Sequence, residues 1–472
     1  MRNFDTEVQY LKYRVLRTVS KYAFAGTLHK NLPRIPEEII PGPKPTTRCC
    51  IYKERAIVNE RIKLALGGNP DNPNVVEVIN IACDECPVAG YKVTDSCRGC
   101  IAHRCEVACK FGAIYFDRNQ KAQIDKEKCV ECGACAKVCP YSAISNSKRP
   151  CENSCKVNAI SMDSNHTATI DNSKCIQCGS CVYQCPFGAI VDKSYILDVI
   201  DMLKNKEDVF AIIAPSIAAQ FSKATLGQVV TGIKILGFSH VVEAALGADL
   251  IAAHEALELV EKEFLTTSCC PAFVNYIKKY FPKLEGNISS NLSPMAIMGK
   301  VIKEHYPNAK TVFIGPCTAK KGEAQLDTVK EYIDRVLTFE ELIALFAAQE
   351  ISLKTLEETE LDDATLFGRN FARSGGVTEA VVQSLKEQKV EFNLNPITCD
   401  GIENIKIVLA KANKGVLPNN FIEGMACAGG CIGGPCALTH AAKDRSLIDK
   451  YAAKSTKKEI LKNINNIKFE EE

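Results

Sequence analysis

Two cysteines stand side by side in "TTSCCPAFV", Cys269 and Cys270, and the side chains of adjacent residues must diverge. One metal site does not readily use both, so two separate roles are expected. Upstream, "CVECGACAKVCP" spaces Cys129, Cys132, Cys135 and Cys139 as C-x2-C-x2-C-x3-C-P, and "CIQCGSCVYQCP" repeats the pattern at Cys175, Cys178, Cys181 and Cys185. A tight turn through small residues, Gly133 and Ala134 in one run and Gly179 and Ser180 in the other, lets three thiolates converge on one iron-sulfur cube while the fourth crosses to a neighbour. Soft sulfur ligands suit that chemistry. Zinc would call for cysteines in separate pairs rather than triplet-plus-one runs.

The two runs resemble bacterial ferredoxins, which carry such halves in pairs. "CRGCIAHRCEVACKFGAI" supplies Cys97, Cys100, Cys105 and Cys109, a half with an enlarged middle gap. Paired with the 129–139 run, it predicts one 4Fe-4S cluster on Cys97, Cys100, Cys105 and Cys139 and another on Cys109, Cys129, Cys132 and Cys135. "CENSCKVNAI" matches the tail of that half, aligning Cys151 with Cys105 and Cys155 with Cys109, but lacks the leading C-x2-C. Cys155 completes a third cluster with Cys175, Cys178 and Cys181. Cys151 and Cys185 then face a site with two empty corners, and "CDEC" (Cys83, Cys86) has nothing else to bind. Sixteen cysteines in fours make four clusters, the fourth by arithmetic alone. Clusters in series move electrons between a surface and a buried site.

The wider composition fits. The 472 residues include 25 Cys, eighteen of them before residue 186, and 7 scattered His, so imidazole is a poor candidate for the main ligand. The start "MRNFDTEVQYLKYRVLRTVSKYAFAG" is charged throughout, without the apolar core of a signal peptide. No apolar run approaches the roughly 20 residues that span a bilayer. A cytoplasmic protein with reduced, metal-binding thiols is expected. Basic and acidic residues nearly balance, 58 against 56, which excludes an electrostatic footprint for nucleic acid.

Three segments must position these groups. Residues 1–76 carry a basic amphipathic pattern, a proline-punctuated stretch and a doublet, Cys49 and Cys50, read as structural or redox and not as ligands. Residues 77–195 hold the clusters in α+β ferredoxin-like units. Residues 206–472 alternate strand-like runs ("VFAIIAP", "KTVFIGPC") with helical ones ("GADLIAAHEALELVEKEF", "GGVTEAVVQSLKE"), which predicts an α/β domain with helices covering the sheets. Its sparse cysteines fall where strands end in loops, the usual place for sites in such folds.

In that region "TSCCPA", "GPCTAKKGEA" and "GMACAGGCIGGPC" resemble, in order, the three signature loops of the FeFe-hydrogenases. The resemblance implies an H-cluster, a 4Fe-4S cube joined through one cysteine sulfur to a di-iron unit carrying CO, cyanide and a dithiolate bridge. It makes Cys270, Cys317, Cys427 and Cys431 the cube ligands, with Cys431 bridging, and Cys269 the thiol that passes protons to the bridging amine. Lys320 corresponds to the lysine that binds a cyanide ligand, and Pro215, Ser216 and Met425 to residues lining the pocket. Gly429, Gly430, Gly433 and Gly434 would let backbone pass close to a bulky cluster.

By spacing alone, Glu255, Glu258 and Lys262 form a solvated charged helix face. The resemblance instead makes Glu255, Glu258 and Ser289 a proton relay, with Lys262 where an arginine often stands; burial that raises a carboxyl pKa suits the task. Gly315, Met295, Ala428 and the "GGPC" ending depart from the common motifs and resemble a divergent subgroup, often called group B. Cys399 and Cys436 read as packed residues.

The expectation is reversible hydrogen oxidation and proton reduction, with a ferredoxin-type electron carrier and hydrogenase maturation proteins as partners and three to four accessory 4Fe-4S clusters. The rivals are a non-catalytic iron-sulfur assembly protein, against which Cys269, Lys320 and Cys431 argue, a hydrogen sensor, and a pure electron carrier, which would need only the front half.

Overall fold

The computed structural model describes residues 4–87 and 89–465. The outer ends of segments 1–76 and 206–472 therefore lie outside the described residues. Among those described, no helix is long and apolar enough to cross a membrane.

The first helix, α1 (Glu7–Phe24), starts on a capping box in which the Thr6 hydroxyl accepts from the Gln9 amide and the Gln9 side chain returns to the Thr6 backbone. Its apolar stripe, Val15, Leu16 and Val19, joins a core shared with Ile200, Val209 and Leu345. The apolar face of the amphipathic pattern is thus buried within the chain. Lys12, on the same helix, pairs with Asp192 and, at 2.6 Å, with Glu340, while the buried Lys321 reaches Asp192 at 2.8 Å and Glu341 at 3.0 Å. Five buried charges tie the three segments together. Cys436, fully buried, packs against this network.

The cysteine-dense region contains eight three-residue strands among the described residues: β1 (Val76–Val78), β2 (Tyr91–Val93), β3 (Ile114–Phe116), β4 (Ala122–Ile124), β5 (Ile144–Asn146), β6 (Ile160–Met162), β7 (Ala168–Ile170) and β8 (Ile190–Asp192). Their pairing is nested. β2 pairs antiparallel with β5 around the β3–β4 hairpin, and β1 pairs antiparallel with β8 around the β6–β7 hairpin. One four-stranded unit, β2 to β5, is inserted after the first strand of another. This accounts for the leading C-x2-C that "CENSCKVNAI" lacks. Cys97 and Cys100 follow the opening strand of the inner unit, and Cys83 and Cys86 follow the opening strand of the outer one, separated from Cys151 by the whole insertion.

The last region holds two parallel sheets, one of β9 (Val209–Ile213), β10 (His240–Glu243), β12 (Lys310–Gly315) and β13 (Arg335–Thr338), in the order β10-β9-β12-β13, the other of β11 (Leu265–Thr266), β14 (Pro396–Asp400) and β15 (Phe421–Met425), in the order β11-β15-β14. β9 and β15 are buried at every position, the continuous apolar reading expected of parallel strands covered on both faces. This is the expected α/β architecture, with smaller α+β units before it.

Candidate active site and metal centres

All the loops singled out in the last region leave the C-terminal ends of strands, where open parallel sheets place their sites. Pro215 and Ser216 follow β9, Cys269 and Cys270 follow β11, Cys317 follows β12, and Cys427 follows β15, with Met425 closing that strand. Helix Ala244–Lys262 starts directly after β10 and packs behind them. These residues, with Lys320 and Cys431, line one cavity between the two sheets. The doublet divides as its geometry requires. Cys269 is buried, whereas Cys270, Cys317, Cys427 and Cys431 are half-buried because they face the cavity.

Burial, and then Cys270 and Cys431, push the Cys317 thiol up to about 12. Burial and then Cys270, with Lys320 opposing, push Cys431 up to about 11. Burial likewise raises Cys427, so three thiols whose ionisation is disfavoured converge with Cys270 on one cavity, a donor set at which a cationic iron-sulfur group can replace protons. The Ser216 hydroxyl is buried in the same cavity wall without a hydrogen-bond partner among the described residues, so the wall offers an unused polar group to an occupant. Lys320 donates to the Cys269 carbonyl at 3.3 Å and pairs with Glu323 at 2.7 Å. Burial disfavours its charge, and Glu323 outweighs that, so its pKa is raised. Glu323 was not singled out from sequence, although its spacing of three from Lys320 on one helix was the available signal.

Gly430 has a φ of 95°, and a Cβ there would meet the Ser374 amide nitrogen at 2.7 Å and the Ala372 carbonyl oxygen at 2.9 Å. The glycine thus allows loop-on-loop contact as well as the expected approach to the cavity.

Glu255 and Glu258 are not solvated. Glu255 is fully buried; its Oε1 accepts from the Ser268 amide at 3.4 Å and its Oε2 has no partner among the described residues. Burial raises its pKa to about 8. Burial, then the Glu255 charge, hold the Cys269 thiol protonated. Glu258 behaves oppositely to the sequence expectation. Burial would raise its pKa, but Lys262 at 2.8 Å, the Ser290 amide at 2.8 Å and the Ser289 hydroxyl at 2.8 Å reverse the direction, and it is lowered. Asn291, missed from sequence, donates to Glu258 at 2.9 Å and to the Ser289 hydroxyl at 3.0 Å. The result is an ordered line: a protonated buried thiol, a carboxyl that titrates near neutrality, a hydroxyl and an ionised carboxylate at the lysine-bearing end of the helix.

In the front region several of the expected ligand thiols lie side by side. Cys105 lies beside Cys100 and Cys139, and Cys135 beside Cys129 and Cys109; Cys97 and Cys132 border the same groups. Cys181 lies beside Cys178, Cys175 and Cys155. Cys151 lies beside Cys185 and Cys83, and Cys86 beside Cys185 and Cys83. Gly133 and Gly179 take φ of 76° and 74°, the left-handed turns that let each triplet converge. Cys50 caps helix Ile51–Ala65, its sulfur accepting from the Lys53 amide at 3.5 Å, and Cys399 is buried against the Glu423 carbonyl at 3.3 Å.

Residues 207–435 match the family described as iron only hydrogenase large subunit, C-terminal domain, and residues 122–145 and 168–191 each match the 4Fe-4S binding domain. The chain thus carries an iron-only hydrogenase C-terminal α/β domain preceded by 4Fe-4S ferredoxin domains. It is 30% identical over 376 residues to iron hydrogenase 1 of Clostridium pasteurianum, covering 67% of this chain and 65% of that protein. It is 29% identical over 383 residues to the periplasmic [Fe] hydrogenase large subunit of Nitratidesulfovibrio vulgaris, covering 67% of this chain and 86% of that one. A more distant likeness, 24% over 282 residues, is to the cytosolic Fe-S cluster assembly factor narfl of Xenopus tropicalis, covering 46% of this chain and 59% of that protein.

Proposed function

We propose that the chain is a FeFe-hydrogenase of the divergent, group B-like kind that reversibly converts two protons and two electrons to hydrogen. The observation that carries this reading is the placement of Cys269, a buried protonated thiol, between a cavity walled by four more cysteines and the buried carboxyl of Glu255. An assembly protein or a pure electron carrier has no use for a proton line ending at a metal site.

Cys270, Cys317, Cys427 and Cys431 would hold the cube of an H-cluster, with Cys431 as the bridge, and Lys320, Ser216, Pro215 and Met425 would bound its di-iron end. When bound, that unit supplies the iron at which hydrogen is made or split. The chain's part is proton delivery and exclusion of water. Cys269 holds the proton nearest the cavity. Glu255, with a pKa of about 8, gives and takes a proton near neutral pH. The Ser289 hydroxyl, donating to Glu258, bridges to the outer carboxylate, and Lys262 and Asn291 keep that carboxylate in place.

Electrons would reach the cavity through residues 77–195 from a ferredoxin-type carrier, and maturation proteins would install the di-iron unit. Infrared spectroscopy on protein produced with those maturation proteins tests this reading. CO and cyanide bands together with hydrogen evolution are expected. A full complement of iron-sulfur clusters without the bands would favour the assembly role instead.

A further inference from the structure

The fourth cysteine group is surrounded by arginines. Arg149 is 1% exposed; its Nη1 donates to the Cys83 sulfur at 3.5 Å and its Nη2 to the His166 carbonyl at 2.7 Å. Arg61 is 4% exposed, donates to the Phe187 carbonyl at 3.1 Å, and has a buried Nε without a partner. It faces Cys185. Arg48 lies over the Phe187 ring, 4.9 Å from its centre, donates to the Ala82 carbonyl at 2.9 Å and pairs with the partly exposed Asp84 and Glu85 at 3.5 Å.

Among the described residues, neither Arg149 nor Arg61 has a carboxylate within ion-pair distance. The other buried cations differ. Lys12, Lys193, Lys320, Lys321, Arg369 and Arg373 are each paired with a carboxylate. A buried guanidinium without a counter-charge is strongly destabilising, and neutral thiols supply none. Four thiolates around an iron-sulfur cube do, with two net negative charges when oxidised and three after uptake of one electron.

We propose that Arg149 and Arg61 form a cationic cradle that stabilises the reduced form of a 4Fe-4S cluster held by Cys83, Cys86, Cys151 and Cys185, making it the accessory site at which an electron rests. The inference depends on the reading of this group as a cluster site. Among the described residues, the other buried arginines are Arg369 and Arg373, both in the last region and paired with carboxylates. The electron has a short path to and from the neighbouring group. Helix Pro150–Ser154 places Cys151 within one turn of Cys155, and helix Ser180–Gln184 separates Cys181 from Cys185 by a single turn, so each helix joins the two groups. Cys155, Cys175, Cys178 and Cys181 would hold the group that supplies the electron, one electron passing to the arginine-flanked site as its donor is oxidised, with no bond broken and no proton moved.

The test is an anaerobic potentiometric titration followed by electron paramagnetic resonance on the full, reconstituted chain, with iron counted in every sample. In the unsubstituted protein one accessory signal is expected to appear at a higher potential than the others. Arg149→Met should keep its iron and move that signal downward by at least 59 mV, a tenfold loss of reduced fraction for one electron. Arg149→Lys, which keeps the charge, should restore most of the shift, and Arg61→Met should lower the same signal independently. Cys83→Ser should remove that signal and about four iron atoms. A full iron count and an intact signal in Cys83→Ser would overturn the cluster reading itself. An unmoved signal at full iron in both methionine variants would overturn the cradle alone, as would loss of about four irons in both, which would make the arginines assembly determinants.

Discussion

The Thr318 hydroxyl donates a hydrogen bond to the Gln177 carbonyl at 2.8 Å, joining the residue after Cys317 to the residue before Cys178. Gly179 completes the contact: with φ of 74°, it would place a Cβ 2.4 Å from the Thr318 Oγ1 and 2.6 Å from the Pro435 Cγ. The loop carrying Cys175, Cys178 and Cys181 is thus pressed directly on the loops that wall the cysteine-lined cavity, the junction an electron would cross under the proposed function.

Gly179→Ala should force these loops apart. A loss of about 1–3 kcal/mol is expected from overpacking at a left-handed position, seen as a lower anaerobic melting temperature. Hydrogen evolution driven by a reduced protein carrier should fall with iron content retained. An unchanged melting temperature would mean that the contact is not the tight junction described.

Glu258→Gln keeps size and hydrogen-bonding capacity but cannot ionise. A relay role predicts a fall in turnover of roughly 10²-fold or more, with infrared bands and iron content unchanged. An artificial reductant isolates the proton step from the natural electron partner. Near-normal turnover under those conditions would mean that protons reach Cys269 by another route.

Glu255 makes a pH-dependent contribution to stability whose sign follows from its raised pKa. The folded chain keeps this proton up to about pH 8, whereas the unfolded chain releases it near the ordinary carboxyl value of 4.5. Its contribution is fully present below about 4.5 and is lost as pH rises through about 8. Glu255→Gln removes that loss. The variant's apparent melting temperature should therefore gain on the parent's between pH 5 and pH 8.5, and parallel curves would contradict the burial argument.

The strand-end placement of the motifs and the α/β class were legible because spacing and apolar runs are local. The nesting was not. β1 and β8 are three-residue strands more than a hundred positions apart, too short to show a period, so "CDEC" reached its group only by counting. The direction of the Glu258 shift also stayed hidden, because Ser289, Ser290 and Asn291 arrive on a loop about thirty residues further along the chain. The burial of Lys12 depends on Asp192 and Glu340, which no pattern within α1 discloses.

An iron count tests the cluster arithmetic. Fully maturated protein should carry about 22 iron atoms, and protein lacking the di-iron unit about 20. Cys185→Ser should lower either value by about four. A count near 18 in the maturated parent, unchanged by Cys185→Ser, would remove that accessory site.

As a FeFe-hydrogenase, this chain would make hydrogen with Cys269 as the last proton carrier. The most direct measurement is hydrogen evolution from an artificial reductant by maturated parent and Cys269→Ala protein, each with its infrared spectrum recorded. CO and cyanide bands are expected in both, with turnover in the parent and a loss of roughly 10²-fold or more in the variant. Bands in both with no hydrogen from the parent, or with equal turnover from the two, would contradict this reading.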